Sequence, residues 1–339
     1  MKNNEKITFG IIGYGRFGKL WAKYMSKHGK VFVFDKINKI QRKGTGLIPA
    51  NLEQTVSADI VFLSVPISEM ENSCKAINTL LSPGTLVVDV CSVKTFPVAV
   101  MKKFLPKNQP ILATHPLFGP DSEKINKGLK GLKIVVCKVG RKNAFEKRLM
   151  EIFKKLNLKI IFTSPEKHDR QMATSQALVH FIGRGLAKLR LDPQEISTPD
   201  YNSLVRMHQM VNNDTWQLFF DMQNMNPFAE ATREKFIRSI DKLNKTIKLG
   251  NNTLEGLRGN INDIDGSIIA LLALRLKVVK KIGKLKRQEK LRVVDHGREK
   301  DLINLHHKYS KQGKIDTAFI DKVFDLIVNY SRVVQRKKL

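Results

Sequence analysis

Apolar residues recur at steps of three and four through residues 250–339, which is the spacing of helices with one buried face. The clearest series comprises Leu257, Ile261, Ile264, Ile268, Leu271, Leu272, Val278, Ile282 and Leu285. Asn252 and Glu255 form a capping-box-like start, and no proline interrupts the pattern before Arg287. The pattern predicts one helix of about 35 residues, about 50 Å long. A helix of that length cannot bury its apolar face within so small a domain, so we expect a dimer partner.

Two shorter helices are predicted after it, from Val294 to Tyr309 and from Asp316 to Gln335, separated by the polar turn Lys311 to Lys314. The expected core face of the last helix consists of Phe319, Val323, Phe324, Ile327 and Val328. The C-terminal part is therefore predicted to be all-helical.

Short apolar runs alternate with helical patterns in the N-terminal part. The predicted strands are Ile7 to Ile12, Val31 to Phe34, Ile60 to Val65, Leu86 to Val90, Ile111 to Ala113 and Ile134 to Cys137. This alternation predicts a mostly parallel, doubly wound sheet, which binds its ligands beyond the carboxyl ends of the strands.

A glycine-rich turn follows the first strand. Gly13, Gly15 and Gly18, with Arg16 and Phe17 between them, lie between that strand and a helical segment. The glycines permit a tight turn, so that a pyrophosphate can bind at the helix N-terminus.

The rest of the predicted cofactor site lies at the ends of two further strands. Asp35, about twenty residues after the glycines, is placed to bind the adenosine ribose and to repel a 2′-phosphate, which favours NAD. Lys36 beside it leaves NADP as the alternative. Ser64 and Pro66, at the end of the strand that starts at Ile60, complete the predicted site.

Polar clusters close two other strands. One runs from Asp89 to Lys94 and the other from Thr114 to Pro120. Together with the segments Glu166 to Arg170 and Ser175 to Phe181, they resemble the prephenate and arogenate dehydrogenases of tyrosine biosynthesis, over roughly residues 7–249. The most specific piece is the His-Pro-Leu-Phe-Gly-Pro run that begins at His115.

The resemblance implies roles for individual residues. His115 would be the catalytic base, a role suited to a side chain whose usual pKa is about 6.5. Ser92 would lie between that histidine and the nicotinamide, and Gln176 and His180 would lie on the substrate side. Two interpretations stay open for His168 and Asp169, which either act in the site or cap the helix that begins there.

The arginine for the ring carboxylate of the substrate is less well marked. Arg206 is the nearest candidate and Arg184 the second. Arogenate-preferring relatives often carry an acidic residue shortly after the Gly-Pro pair; the corresponding neighbourhood in this chain is Lys124, Ile125 and Asn126. The resemblance therefore favours prephenate over arogenate.

Eight polar positions punctuate the C-terminal helices in a pattern suited to a ligand with two carboxylates and a polar oxygen. They are Arg258, Arg275, Lys286, Asp295, Arg298, Glu299, Ser331 and Gln335. The array resembles the all-helical chorismate mutases, whose product is prephenate.

That resemblance implies that Arg275, Arg298 and, from the other protomer, Arg258 bind carboxylates, with Ser331 near one of them. Lys286 and Gln335 would face the ether oxygen of the breaking bond, and Glu299 and Asp295 the ring hydroxyl. Such a pericyclic reaction needs a fixed conformer and charge stabilisation rather than a nucleophile. The alternative is a catalytically silent dimerisation or regulatory module.

The formal net charge is +29, and the basic excess is spread along the chain. Nucleic-acid-binding proteins usually concentrate such charge on one face, so a specific nucleic-acid partner is not expected. A diffuse positive field would attract dianionic substrates, and a source organism with a basic proteome explains the charge equally well. No apolar run reaches membrane-spanning length, and Cys74, Cys91 and Cys137 lack metal-ligand spacing, so we expect no metal and reduced thiols in a cytoplasm.

Together the patterns predict an α/β plus all-α protein with three domains: an NAD-binding domain at 1–165, a helical substrate and dimerisation domain at 166–249, and a mutase domain at 250–339. The expected function is a homodimeric, bifunctional enzyme that converts chorismate to prephenate and then, with NAD, prephenate to 4-hydroxyphenylpyruvate. An arogenate dehydrogenase that forms tyrosine is the alternative.

Overall fold

A computed structural model describes residues 7–38, 40, 46–137, 139–140, 143–249 and 253–336. The chain divides into two compact units, Met1–Ser239 and Ile240–Leu339. The division falls within one continuous helix, Ala229–Leu249. The finer division into three domains stays a prediction.

The first unit is built on an eight-stranded sheet. Its strands are β1 (Thr8–Ile12), β2 (Lys30–Phe34), β3 (Leu47–Pro49), β4 (Ile60–Leu63), β5 (Leu86–Asp89), β6 (Ile111–Pro116), β7 (Lys133–Cys137) and β8 (Lys159–Phe162). The strand order is β3-β2-β1-β4-β5-β6-β7-β8. Neighbouring strands are parallel except for the antiparallel pair β6 and β7. The predicted mostly parallel sheet is confirmed, and its order reverses between β1 and β4, where doubly wound folds bind nucleotides.

Eleven helices are described in or from this unit: α1 (Arg16–Met25), α2 (Leu52–Val56), α3 (Met70–Ile77), α4 (Thr95–Phe104), α5 (Pro120–Asn126), α6 (Ala144–Lys155), α7 (Pro165–Met172), α8 (Val179–Leu186), α9 (Pro199–Asn212), α10 (Trp216–Met225) and α11 (Ala229–Leu249). Two consecutive residues of β4, whose side chains point to opposite faces of the sheet, show how the helices cover it. Phe62 packs in one apolar cluster with Trp21 of α1, and Leu63 packs in a second with Ile77 of α3. Helices therefore cover both faces of the sheet.

The sixth strand is longer than predicted. It continues past Ala113 to Pro116, because His115 pairs with Val135 of the antiparallel β7. His115 therefore lies within the sheet instead of following it. The strands β3 and β8 were not predicted; β3 has three residues, and β8 is an edge strand that leaves Phe162 exposed.

A π-helical segment, Ala173–Leu178, joins α7 to α8. Two buried side chains support the backbone around it: Gln223 Nε2 donates to the Ala177 carbonyl at 2.7 Å, and Asn226 Nδ2 to the Asp169 carbonyl at 2.8 Å. Such π segments occur often at functional sites.

The second unit contains three helices beyond the end of α11: α12 (Leu254–Gln288), α13 (His296–Gly313) and α14 (Thr317–Arg336). The helix α12 has 35 residues, close to the predicted length. Its N-cap is Thr253, whose side chain accepts a hydrogen bond from Gly256 N. The predicted cap, Asn252, lies outside the described residues.

Two details of the helical prediction were wrong. First, α13 begins at His296 and continues to Gly313, because the Asp295 side chain caps its start and left-handed Lys314 ends it. Second, Phe319 does not lie in a core, since its side chain is 57% exposed. Phe324 in the same helix is half-buried and stacks on His306 at 3.7 Å between ring centroids.

Candidate active sites

The three glycines after β1 have different surroundings. Gly13 has a φ of +100°, and an added Cβ would lie 2.3 Å from the Ser64 carbonyl oxygen. A Cβ on Gly18 would lie 2.1 Å from the Gly13 carbonyl oxygen. At Gly15, by contrast, a Cβ would have no described neighbour within 4 Å. The outer glycines are thus required by packing, and the middle one leaves open space where a ligand can approach the backbone.

The same turn starts α1, whose N-cap is Gly15 and whose first turn contains no acid. Its backbone N–H groups can therefore bind the diphosphate of a dinucleotide. Phe17, in the first turn of α1, stacks on Trp21 of the same helix, with 5.6 Å between ring centroids. Pro66, two residues after Ser64, is the N-cap residue of a short 3₁₀ turn that follows β4.

Asp35 follows β2 with an ionised carboxylate. It accepts hydrogen bonds from the backbone N–H groups of Tyr14 (2.5 Å), Ile37 (2.8 Å) and Asn38 (2.6 Å). Burial raises the pKa of Asp35, but these hydrogen bonds outweigh that effect and hold it below its usual value. A carboxylate at this position fits the ribose end of a dinucleotide.

Arg16, predicted to bind cofactor, points toward two acids. Its Nη2 lies 2.7 Å from Asp121 Oδ2 in α5, and its Nη1 lies 3.2 Å from Asp214 Oδ1. Nη1 also donates to the Asn213 carbonyl at 2.6 Å. The arginine therefore links the glycine-rich turn to the end of α9.

His115 is 4% exposed and lies at the start of a chain of polar contacts. Its Nδ1 lies 2.9 Å from Nε2 of His168, and Nδ1 of His168 lies 2.7 Å from Oδ1 of Asp169. Burial, then the nearby His168 and Lys94, hold the pKa of His115 well below its usual value. Burial also lowers the pKa of His168, so both imidazoles are neutral at neutral pH.

Ser92 lies in the loop between β5 and α4, at the same edge of the sheet. Its Oγ is buried and has no hydrogen-bond partner among the described residues. Asp169 holds this loop by accepting from Lys94 N (2.7 Å) and Thr95 N (2.8 Å). Asp169 therefore caps the start of α4, and α7 is capped by Ser164.

Sequence reasoning missed the role of Lys94. Its side chain is fully buried, forms an ion pair with Asp89 and donates to the Thr114 carbonyl at 2.5 Å. Burial raises the pKa of Asp89, partly offset by Lys94. The available signal was a lysine that closes a polar cluster directly after a buried strand.

Gln176, His180 and Arg184 follow one another at steps of four residues. In the described part of the chain, Gln176 Oε1, His180 Nδ1 and Arg184 Nε are buried without a hydrogen-bond partner. Burial and then Arg184 lower the pKa of His180 to about 4. These unpaired atoms form a polar stripe along the segment from Gln176 to Arg184.

The two candidate arginines differ in their surroundings. Arg184 donates to the Asp214 carbonyl and lies over the Trp216 ring, 4.4 Å from its centroid. Arg206 is exposed on α9. The substrate role of either arginine stays a prediction, with Arg184 half-buried and Arg206 exposed.

The second unit brings together part of the predicted mutase array. Arg275 Nη1 donates to Ser331 Oγ, and burial lowers the pKa of Arg275. Gln335 packs next to Gly283, where an added Cβ would lie 3.2 Å from the Gln335 Cα. Gln335 Oε1 is buried and finds no partner within residues 253–336 or the other described segments. Lys286 Nζ donates to the Val293 carbonyl at 2.8 Å.

The other members of the array are placed differently. Arg258 and Arg298 are exposed, and the Asp295 side chain accepts from Arg298 N as the cap of α13. The Glu299 carboxylate pairs with Arg332, whose Nη2 and Nε lie 2.8 and 3.1 Å from its Oε1. Arg332 was not predicted, although it directly follows Ser331 in the sequence.

The described residues contain no cluster of three or more His, Cys, Asp or Glu side chains that would hold a metal ion. Within those residues, no helix is both long and apolar enough to cross a bilayer.

A doubly wound sheet, a glycine-rich turn at its switch point and a buried histidine at the same edge of the sheet define a nucleotide-binding dehydrogenase. Residues 22–161 match the family model for the nucleotide-binding domain of prephenate dehydrogenase, and residues 185–256 match a TYRAAT1-like C-terminal domain. Residues 257–336 match chorismate mutase type II.

The chain is 30% identical over 260 residues to arogenate dehydrogenase 2, chloroplastic, of Arabidopsis thaliana, covering 73% of this chain and 71% of that protein. It is 28% identical over 260 residues to a probable arogenate/prephenate dehydrogenase of Methanocaldococcus jannaschii, covering 72% of this chain and 58% of that one. The chain belongs to the arogenate and prephenate dehydrogenase family, as the sequence predicted, and it carries a chorismate mutase domain.

Solved structures show the same fold. Prephenate dehydrogenase from Aquifex aeolicus, in complex with hydroxyphenyl propionate and NAD⁺, superposes with a TM-score of 0.55 at 18% identity, covering 82% of this chain and all of that one. Synechocystis arogenate dehydrogenase gives a TM-score of 0.53 at 17% identity, covering 78% of this chain and 100% of the other.

Proposed function

We propose that the chain is a bifunctional enzyme that rearranges chorismate to prephenate and oxidises prephenate with NAD to 4-hydroxyphenylpyruvate. The observation that carries the dehydrogenase half is the buried, neutral His115 at the sheet edge that also holds the glycine-rich turn. A neutral histidine can accept a proton, which the oxidation of an alcohol requires.

In this proposal Nε2 of His115 takes the proton of the ring hydroxyl while hydride leaves the ring carbon that bears this hydroxyl. Bound NAD supplies the hydride acceptor. The ring carboxylate is then lost as carbon dioxide, and the electrons of the broken C–C bond restore the aromatic ring. The phenolate oxygen takes back the proton from His115, so the base is regenerated without net proton release. Ser92, whose Oγ has no hydrogen-bond partner among the described residues, is proposed to hydrogen-bond substrate or cofactor.

The polar stripe from Gln176 to Arg184 is the proposed substrate-binding surface. Buried polar groups without partners are rare in proteins, because each costs free energy, so three in one stripe point to a ligand. Arg184 is the proposed ligand of a substrate carboxylate, and Arg206 stays the alternative. His180, neutral with a pKa of about 4, can donate or accept one hydrogen bond there.

Prephenate fits this surface better than arogenate, whose side chain carries an ammonium group. Three acids in α5 and after α9 already have partners. Asp121 and Asp214 pair with Arg16, and Glu123 accepts from Lys23 (3.2 Å) and Tyr24 (2.6 Å). The alternative is an arogenate-preferring enzyme.

NAD is the proposed cofactor, because the ionised Asp35 would repel the 2′-phosphate of NADP. Titration with NADH and NADPH tests this directly. Tighter binding of NADPH would contradict it and assign the exposed Lys36 to the phosphate. The three buried, unpaired cysteines fit a reducing compartment, and we place the enzyme in the cytoplasm.

The mutase half is proposed from Arg275, Ser331, Lys286 and Gln335 along α12 and α14. An arginine with a lowered pKa beside a buried hydroxyl suits a carboxylate, and Nε2 of Gln335 is the proposed donor to the ether oxygen. The exposed Arg258 and Arg298 would complete the site in a dimer. The apolar face of α12 supports such a dimer, since Ile261, Ile264 and Ile268 are 57, 53 and 51% exposed in the single chain.

One coupled assay tests both halves. Purified protein receives chorismate and NAD, and chorismate loss and NADH formation are followed together; prephenate and arogenate are then supplied separately. We expect both signals from chorismate, and NADH from prephenate. NADH from arogenate alone would overturn the substrate assignment.

Arg275→Ala separates the two activities. We expect it to abolish chorismate loss and to leave prephenate oxidation unchanged, because Arg275 lies in the mutase array alone. Lys277→Ala, at an exposed position in the same helix, is the matched control. Full mutase turnover in Arg275→Ala would mean that the array is catalytically silent.

A further inference from the structure

The contact between His115 and His168 raises the question of which imidazole nitrogen carries the proton. Three side chains are aligned: Asp169 Oδ1 lies 2.7 Å from His168 Nδ1, and His168 Nε2 lies 2.9 Å from His115 Nδ1. We propose that His168 and Asp169 are positioning residues that hold His115 as the Nδ1–H tautomer, with Nε2 free to act as the base. This inference rests on the dehydrogenase half of the proposed function.

The direction of each hydrogen bond follows from Asp169. Its carboxylate also accepts from Lys94 N (2.7 Å), Thr95 N (2.8 Å) and Thr95 Oγ1. Two of these donors are backbone N–H groups, and the hydrogen bonds outweigh burial to hold the pKa of Asp169 below its usual value, so the carboxylate is ionised and has no proton to give. Nδ1 of His168 must therefore be the donor in its contact with Asp169.

The remaining assignments are then fixed. A neutral imidazole carries one N–H, so Nε2 of His168 has only a lone pair. It must accept from Nδ1–H of His115, and Nε2 of His115 is left unprotonated. Burial keeps both rings neutral by lowering the pKa of each.

The same arrangement serves the protonated state. When Nε2 of His115 has taken the hydroxyl proton, its Nδ1–H still donates to His168, whose own N–H donates to Asp169. The Asp169 carboxylate, at the end of this series of hydrogen bonds, stabilises the imidazolium until the phenolate takes the proton back. The charged groups around the rings are Asp89 on β5, Lys94 before α4 and Asp169 on α7; Asp89 and Lys94 neutralise each other, which leaves Asp169 as the net charge.

Asp169 thereby links two parts of the site. It orients His115 through His168, and it also holds the loop that carries Ser92 through its contacts to Lys94 and Thr95. A helix cap alone would need neither the buried His168 nor its contact with His115.

The test reads the tautomer directly. The imidazole ¹⁵N shifts of His115 are measured in the free, full-length protein and in His168→Phe and His168→Gln. We expect the wild type to be the Nδ1–H tautomer. His168→Phe removes the acceptor and should release that preference, while His168→Gln keeps an acceptor oxygen and should restore it.

Kinetics provide the second readout. His168→Phe should lower kcat for prephenate by about 100-fold or more, the size of a general-base contribution, with the Kd for NADH changed less than twofold. His168→Gln should recover at least a tenth of the wild-type kcat. Thr95→Val is the control, because it removes one bond to Asp169 and leaves the contact to His168; it should keep the wild-type tautomer.

Several results would overturn the inference. They are an Nε2–H tautomer in the wild-type protein, a His168→Phe variant with wild-type kcat, or a His168→Gln variant no better than His168→Phe. If the wild type oxidises neither prephenate nor arogenate, the proposed function fails, and the ¹⁵N measurement still decides whether His168 and Asp169 fix the tautomer.

Discussion

The guanidinium of Arg16 lies 3.2 Å from the carboxylate of Asp214, a residue 198 positions away in the sequence. Asp214 Oδ2 lies in turn 3.9 Å from Nε2 of His180. One ion pair thus connects the first turn of α1, where a dinucleotide would bind, to the proposed substrate stripe.

Replacing Arg16 should therefore affect both ligands. We expect Arg16→Ala to weaken NADH binding about tenfold and to raise the KM for prephenate, because it removes a cation at the diphosphate site and leaves Asp214 without its partner. Fluorescence titration and steady-state kinetics measure the two effects. The control is Arg238→Ala, which breaks an exposed pair with Glu234. If Arg16→Ala binds NADH normally, the arginine is only a link between structural elements.

Gly15 and Gly18 should respond to alanine in opposite ways. Gly18→Ala places a methyl group 2.1 Å from the Gly13 carbonyl oxygen, so the melting temperature should fall clearly. Gly15→Ala meets no described atom within 4 Å, so stability should be unchanged while NADH binding is lost. Thermal melts and NADH titration of both variants distinguish the two roles. A Gly15→Ala variant that binds NADH as the wild type does would place the diphosphate elsewhere.

The buried pair of Lys94 and Asp89 should be costly to break. We expect Lys94→Met to lower the free energy of unfolding by about 3–5 kcal/mol, because it leaves Asp89 buried without its counter-ion. Urea unfolding followed by tryptophan fluorescence reports on the correct unit, since Trp21 and Trp216 both lie in Met1–Ser239. Lys75→Met, which breaks a surface pair with Glu71, should leave the transition unchanged. The double variant Lys94→Met/Asp89→Leu should recover part of the loss, and a further loss would contradict the explanation.

Acid should destabilise the dehydrogenase unit through His180. Its pKa is about 4 in the folded chain and near 6.5 when exposed, so the unfolded state binds the proton first as pH falls. Stability is unaffected above about pH 6.5 and decreases down to about pH 4, by a total on the order of 3 kcal/mol. His115 and His168 act in the same direction.

The variant His180→Gln isolates this contribution, because the other histidines remain. The difference in unfolding free energy between wild type and variant should change across pH 4 to 6.5 and stay constant above it. His307→Gln, in the second unit, serves as the control. A difference that does not depend on pH would mean that His180 is exposed to water in the folded protein.

Much of the fold could be predicted because its signals are local. The glycine turn is set by a few adjacent residues, and α12 by a regular apolar spacing. The end of β6 was missed because it depends on pairing with β7. No property of Thr114 or His115 indicates in the sequence that an antiparallel strand lies beside them. Phe319 was assigned to a core on periodicity alone, which shows that a face is apolar but not what covers it.

In the candidate sites, too, local motifs could be predicted and contacts between distant residues could not. His115 and Ser92 were found through contiguous motifs. The role of His168 could not be decided from sequence, because it depends on a contact with a residue 53 positions away. The choice between Arg184 and Arg206 likewise requires knowing which helix face is buried.

The π-helical segment between α7 and α8 also has a geometric consequence. His168 and His180 are twelve residues apart, and at about 100° per residue an uninterrupted α-helix would turn them about 120° away from each other. Wider π turns advance by a smaller angle per residue, which rotates His180 back toward the side of His168. The segment therefore accommodates one extra residue in a continuous helix: eleven residues of regular α-helix would separate the two histidines by only about 20°, so the wider turns keep the substrate stripe on nearly the side it would occupy without the insertion.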